Sequence, residues 1–217
     1  MAGYLTLPTG HALTAEIDVR RSRFLAVVCR VGDESAARAV IAGCRSAYPD
    51  ARHHCSAFVL GPAPRTERSN DDGEPSGTAG APMLQVLRSA DLSDVVAVVT
   101  RYFGGTLLGT GGLARAYADA VHAALDSDDR RVRRVPVELF ELVVPHADAG
   151  RVEAALRAAA LDRADLRVLE TRYEDEAVLH LAAGRVSARE LPELVAGLSA
   201  GQLSATPAGR DWIDVPA

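Results

Sequence analysis

The chain has 217 residues, of which 48% are apolar and 24% charged, with a formal net charge of −5. Its length exceeds that of a usual single domain, its apolar share excludes wholesale disorder, and no apolar run approaches the ~20 residues of a membrane span. Residues 1–135 hold 16 Arg against 15 Asp and Glu, and residues 136–217 hold 8 against 14, so the two parts carry +1 and −6. The second part is therefore ill suited to grip a phosphate backbone.

The opening segment has no basic stretch followed by an apolar core, so a cytoplasmic location is expected. From Leu13 to Val31 the pattern reads as a hairpin around Arg20, Arg21 and Arg23, with Phe24, Ala26 and Val28 on one face and Leu25 and Val27 on the other. An amphipathic helix is expected from Asp33 to Tyr48, stopped by Pro49, then a strand from His54 to Leu60. Residues 61–82 are dense in Gly, Pro, Ser and Asp and read as one long loop, before a short helix from Met83 to Ser89. Val95–Val99 reads as a strand buried on both faces, running on to Thr100, Arg101 and Tyr102. After the run FGGTLLGTGG, helical spacing continues through Leu113, Ala116, Tyr117, Ala120 and Ala124 to about Leu125.

Asp126–Arg134, DSDDRRVRR, reads as a linker between two domains. Beyond it the expected order is a strand (137–144), a helix (147–160), two strands (166–172, 178–182), a helix (188–198) and a strand near Trp212. This βαββαβ order is the ferredoxin-like plan.

Three cysteines, Cys29, Cys44 and Cys55, lack C-x-x-C spacing and read as reduced core residues; His53 and His54, adjacent on a strand, point to opposite faces and do not share a metal ion. No metal and no cofactor is expected. Two loops can carry chemistry. In the first, Asp71, Asp72, Gly73 and Glu74 precede a helix; three carboxylates so close can suit a divalent cation or acid–base work, but the residue types favour a turn at Asp72-Gly73 with Ser76 or Thr78 capping the helix. In the second, Gly104, Gly105, Gly109, Gly111 and Gly112 join a strand to a helix start, where free amides favour anions, although the loop matches no nucleotide-binding signature. Arg101 offers a donor fork beside that loop, with Tyr102 and Phe103 as stacking faces, one of which strand alternation should bury. No nucleophile and base are paired in a recognisable motif.

The segments SNDDGEPSGTAGAPML (69–84) and VVAVVTRYFGGTLLGTGGLARAY (95–117), with RSRFLA and ARHHCSAF upstream, closely resemble the IMPACT family in its bacterial branch. The resemblance spans most of residues 20–125 and implies an α+β protein. Its expected parts are a ribosomal protein S5 domain 2-like domain over 1–130 and a ferredoxin-like domain over 136–217, similar to the last domain of elongation factor G. It also implies a translation-associated, noncatalytic role, since eukaryotic relatives regulate translation through a scaffold of a starvation-activated kinase. No catalytic residue carries over. The expected binding patch is Asp71, Asp72, Gly73, Glu74, Arg101, Tyr102, Gly104, Gly105, Gly109, Gly111 and Gly112, extended toward RNA phosphates by Arg20, Arg21, Arg23 and Arg52. The expected partners are RNA, the ribosome or a translation protein, without membrane contact; the alternative is a metal-assisted enzyme on a small anionic substrate.

Overall fold

Residues 3–163 and 165–217 are described by a computed structural model, in which the chain divides into two units, Tyr4–Val132 and Arg133–Pro216. The first runs β1 (Tyr4–Thr6), β2 (Ala12–Val19), β3 (Ser22–Arg30), α1 (Glu34–Ala47), β4 (His53–Leu60), β5 (Thr66–Asn70), α2 (Gly80–Ser89), β6 (Val95–Tyr102) and α3 (Thr110–Asp126). Its main sheet has the order β2-β3-β6-β4-β5, with every neighbouring pair antiparallel.

Alternation decides which side chains face which layer. Phe24, Ala26 and Val28 of β3 stand beside Arg101, Val99 and Ala97 of β6, and Val99 and Ala97 stand in turn beside Cys55 and Ala57 of β4. Together they face α2 and α3 and close over Met83, Leu87, Tyr117 and Val121. The intervening Val96 and Val98, with Phe58, face α1 instead. Helices thus cover β6 on both faces, which is why its sequence is an unbroken apolar run without alternation. Asp33 caps α1 by accepting from the amide of Ala36 at 2.7 Å.

Three expectations fail here. Residues 61–82 are not one loop: Thr66–Asn70 forms β5 on the edge of the sheet. Its sequence, TERSN, lies almost wholly in solvent, so it has no apolar face to reveal a strand; hydrogen bonds to β4 define it instead. The helix expected at Met83 begins at Gly80. The expected linker 126–134 is not free of regular structure, because the next strand, β7 (Val132–Val144), starts within it.

The second unit continues with α4 (His146–Leu161), β8 (Leu166–Tyr173), β9 (Ala177–Ala183), α5 (Arg185–Ser199) and β10 (Thr206–Pro216). Its strands lie in the order β10-β7-β9-β8, antiparallel between β7 and β9 and between β9 and β8. One face buries Phe140, Leu142, Leu179 and Leu181 against Val152 and Leu156 of α4 and Leu191 and Val195 of α5. The molecule is thus a mixed α+β protein with antiparallel sheets. Among the described residues, no helix is long and apolar enough to cross a membrane.

Phe24 is fully buried and meets the ring of Tyr117 edge-on, with centroids 5.2 Å apart. Phe24→Ala is expected to cost about 3–5 kcal/mol, the cost of an unfilled aromatic site, measured by urea denaturation of the full chain.

Candidate functional site

At the end of the first sheet where β6 stops, the acidic loop reaches the sheet through Glu74. Glu74 is 9% exposed, and its Oε1 accepts from Arg101 Nη1 and from Tyr117 Oη, each at 2.7 Å. His53 Nε2 stands 4.0 Å from the same oxygen. Arg101, 5% exposed, is flanked by the rings of Phe24 at 5.5 Å and Phe103 at 5.6 Å. Its Nη2 reaches Ser22 Oγ at 3.4 Å, and its Nε is buried with no hydrogen-bond partner among the described residues. Arg101 is therefore turned inward, a clamp on Glu74 and not a fork open to solvent.

Cys55 lies in the same cluster, its thiol donating to the carbonyl of Asp71 at 3.0 Å. Burial pushes this thiol up to about 12, and burial likewise raises the Tyr117 hydroxyl far above its ordinary value. Neither group is an activated nucleophile near neutral pH.

The other two carboxylates of the loop are spent elsewhere. Asp71 Oδ2 accepts from the amide of Gly77 at 2.8 Å, while Oδ1 accepts from Ala79 at 3.0 Å and Gly80 at 2.8 Å. Asp71 thus caps α2 from nine residues upstream; neither Ser76 nor Thr78 does so, and the Thr78 hydroxyl donates to the Pro75 carbonyl instead. Asp72 sits at φ +42° and accepts from Arg45 at 2.5 Å and from the His54 amide at 2.7 Å. Gly73 follows at φ +87°, completing the turn. The three carboxylates point to three different sets of partners and do not converge. Among the described residues, no group of His, Cys, Asp or Glu is arranged to hold a metal ion.

The glycine loop lies against the β2–β3 hairpin. A Cβ on Gly104 would fall 2.0 Å from the carbonyl carbon and oxygen of Arg21, so only glycine permits this approach, and the Gly104 amide donates to Ser22 Oγ at 3.1 Å. Gly105 and Gly109 adopt φ of +81° and +73°. Gly111 and Gly112 lie in the first turn of α3, where an added Cβ on Gly111 would meet nothing. Neither aromatic of this loop is buried, against expectation: Tyr102 is half-buried and Phe103 is 50% exposed. Phe103 stands past the last residue of β6, where alternation no longer applies.

Arg20 and Arg21 form the exposed hairpin tip, at φ of +48° and +68°. Arg23 pairs with Glu16 at 2.8 Å and lies over the Tyr102 ring at 5.5 Å. Exposed Arg52 precedes β4, whose first residue, His53, is in register with Arg101. The fold thus brings all four arginines to the end of the sheet that carries Tyr102 and Phe103. Sequence reasoning missed Tyr117, Ser22 and Arg45: Tyr117 reads as a core position of a helix, and nothing near Ser22 or Arg45 signals a partner so distant in sequence.

Burial opposes ionisation of Asp71, but its three amide donors outweigh this and hold its carboxyl below the usual range. A depressed folded-state value stabilises the protein above the unfolded value of about 3.9 and loses that stabilisation as pH falls through the folded one. Asp71→Asn is therefore expected to cost about 1–2 kcal/mol at pH 7, with the gap to wild type closing below about pH 4 in thermal melts across pH. Arg101→Met is expected to cost about 3–5 kcal/mol by stranding a buried carboxylate, and Arg101→Met/Glu74→Gln is expected to recover part of that loss.

The Impact N-terminal domain model matches residues 20–125, a span that includes every residue of this site. The chain is 34% identical over 193 residues to IMPACT family member YigZ of Escherichia coli strain K12, covering 88% of this chain and 92% of that protein. It is 43% identical over 145 residues to IMPACT family member YvyE of Bacillus subtilis strain 168, covering 65% of each. Among solved structures, one described as the crystal structure of a hypothetical protein is 32% identical with a TM-score of 0.66, covering 96% of this chain and 98% of that one. By sequence along nearly its whole length, the chain belongs to the IMPACT family.

Proposed function

We propose that this protein is a cytoplasmic, noncatalytic, translation-associated factor that binds single-stranded RNA, alone or within ribosomal particles, at the β6 end of its first sheet. The observation that carries this reading is the gathering of exposed Arg20, Arg21, Arg23 and Arg52 from separate segments around the accessible rings of Tyr102 and Phe103. Guanidinium groups neutralise phosphates and exposed rings stack on unpaired bases, a combination suited to single strands. The glycine loop lets its backbone lie close to the same surface and leaves the first amides of α3 without a side-chain cap. The turn Asp71-Asp72-Gly73-Glu74 serves as its foundation: the carboxylates of Asp71, Asp72 and Glu74 are taken up by internal donors and offer little repulsion to a phosphate.

In this reading the first unit is a ribosomal protein S5 domain 2-like domain spanning 1–130. The second is a ferredoxin-like domain over 136–217, a reading its βαββαβ order supports. Its acidic balance suits it to a protein neighbour within the translation machinery. The enzymatic alternative has no comparable support, because each carboxylate of the acidic loop is already held by a different partner and the buried thiol is not activated.

Binding of a fluorescent single-stranded RNA oligonucleotide, followed by anisotropy as KCl is raised, tests this reading. Each phosphate contact contributes about 0.7 to the slope of log affinity against log salt, so Arg20→Ala/Arg21→Ala is expected to reduce that slope by about 1.4. Phe103→Ala is expected to weaken binding by about 1–3 kcal/mol, roughly 5- to 150-fold, through loss of one stacked base. Salt-insensitive binding, or equal affinity of wild type and both variants, would reject the proposal.

A further inference from the structure

A second surface of the first unit is lined by none of the arginines that carry the RNA reading. Helix α1 packs on β4 and β6, and α2 packs on β5 from the opposite face. The α1 side of β5 is left largely uncovered, because α1 packs chiefly on β6 and β4. The result is a groove of about 530 Å³ between α1 and β5. Its floor is apolar, made by Phe58 of β4 and Ile41 of α1, and its walls carry Arg38, Arg45 and Arg68 against one carboxylate, Glu34.

The pairing of these charges is uneven. Arg38 bonds Glu34 at 2.6 Å and Arg45 bonds Asp72 at 2.5 Å. Among the described residues, Arg68 makes no ion pair; it donates to the carbonyl of Glu67 at 3.0 Å, and its charge acts on Glu34 through space, adding to the Arg38 hydrogen bond that holds that carboxyl below its usual range. It stands on the groove side of β5, opposite Phe58 in the ladder. The groove therefore has positive charge in excess: its three guanidiniums face Glu34, which Arg38 already bonds, and Asp72, which Arg45 bonds.

β5 is also the last strand of its sheet. Among the described residues, no backbone hydrogen bond outside its ladder with β4 involves Thr66–Asn70. The strand is short and charged, as edges protected against self-association are. The same features make it selective: a strand added here gains main-chain hydrogen bonds, and its alternate side chains enter the groove.

We infer that β5 and this groove form a docking edge for an extended acidic segment of a partner protein. The segment adds as a further strand beside β5. Side chains two residues apart on its groove face follow the order acidic, apolar, acidic: the carboxylates meet Arg68 and its neighbouring arginines, and the apolar side chain rests on Ile41 and Phe58. Bidentate guanidinium–carboxylate contacts supply the preference for acid, and the strand register supplies the spacing.

Selection of short random peptides displayed on phage against the full-length protein tests this inference. The expected outcome is enrichment of sequences with acidic residues at alternate positions flanking an apolar one. A synthetic peptide of that sequence is then expected to slow amide hydrogen exchange of Thr66–Asn70. Arg68→Glu is expected to weaken it by about tenfold or more, the loss of a charge-assisted contact turned repulsive, with an unchanged melting temperature, because Arg68 is exposed. Arg20→Ala/Arg21→Ala should bind the peptide as wild type does, which separates this edge from the RNA surface. No enrichment, an acid-free consensus, exchange protection elsewhere, equal binding by Arg68→Glu, or protection of Thr66–Asn70 by an RNA oligonucleotide instead would overturn the inference.

Discussion

The buried contact among Glu74, Arg101 and Tyr117 is the constraint on which the functional end of the first unit depends. A carboxylate and a guanidinium removed from water forfeit hydration that their mutual attraction recovers only with good geometry and further hydrogen bonds. Here the phenol supplies the second donor to Glu74. What the pair provides is position: it fastens the 71–78 turn to the last residues of β6 and to the second turn of α3. Arg101 also reaches Ser22, which in turn receives the amide of Gly104. One ion pair thus sets the hairpin tip, the acidic turn and the glycine loop in a single arrangement.

This arrangement sorts charge by sign. The acidic residues of the turn face inward or sideways to donors of the same unit, while the hairpin arginines and the rings of Tyr102 and Phe103 remain toward solvent. A sequence with nearly balanced charge over residues 1–135 can in this way present a cationic, aromatic end. The α1–β5 groove repeats the pattern on a smaller scale, with a single acid of the helix, Glu34, set among Arg38, Arg45 and Arg68.

The parts of the fold legible in the sequence are those whose burial leaves a pattern. The alternation of Phe24, Ala26 and Val28 marks the inner face of β3, and the continuous valines of β6 mark a strand covered on both sides. The spacing of Leu113, Ala116, Tyr117 and Ala120 marks α3. β5 left no such trace, since an edge strand with both faces largely in water is selected for its hydrogen bonds and not for apolar side chains. The site was legible as a set of residue types and not as a set of roles. The density of carboxylates in the acidic loop suggests a ligand for cations, yet each serves the loop's own backbone or an arginine. Arg101 looks like a recognition residue until the fold places Phe24 and Phe103 beside it. These assignments rest on contacts between residues such as Glu74 and Tyr117, 43 positions apart, which no local pattern encodes.

A backbone contact that only glycine permits joins Gly104 to the hairpin tip, across 82 positions between Ser22 and Gly104. A nascent chain can pair β2 with β3 soon after both emerge, but the tip gains its seat only when β6 and the following loop have left the ribosome. The Glu74 carboxylate in turn lacks its second donor until Tyr117 is out. The surface we propose for RNA is therefore assembled only once Tyr117 has emerged, past the midpoint of the 217 residues, and the chain made before that point lacks it.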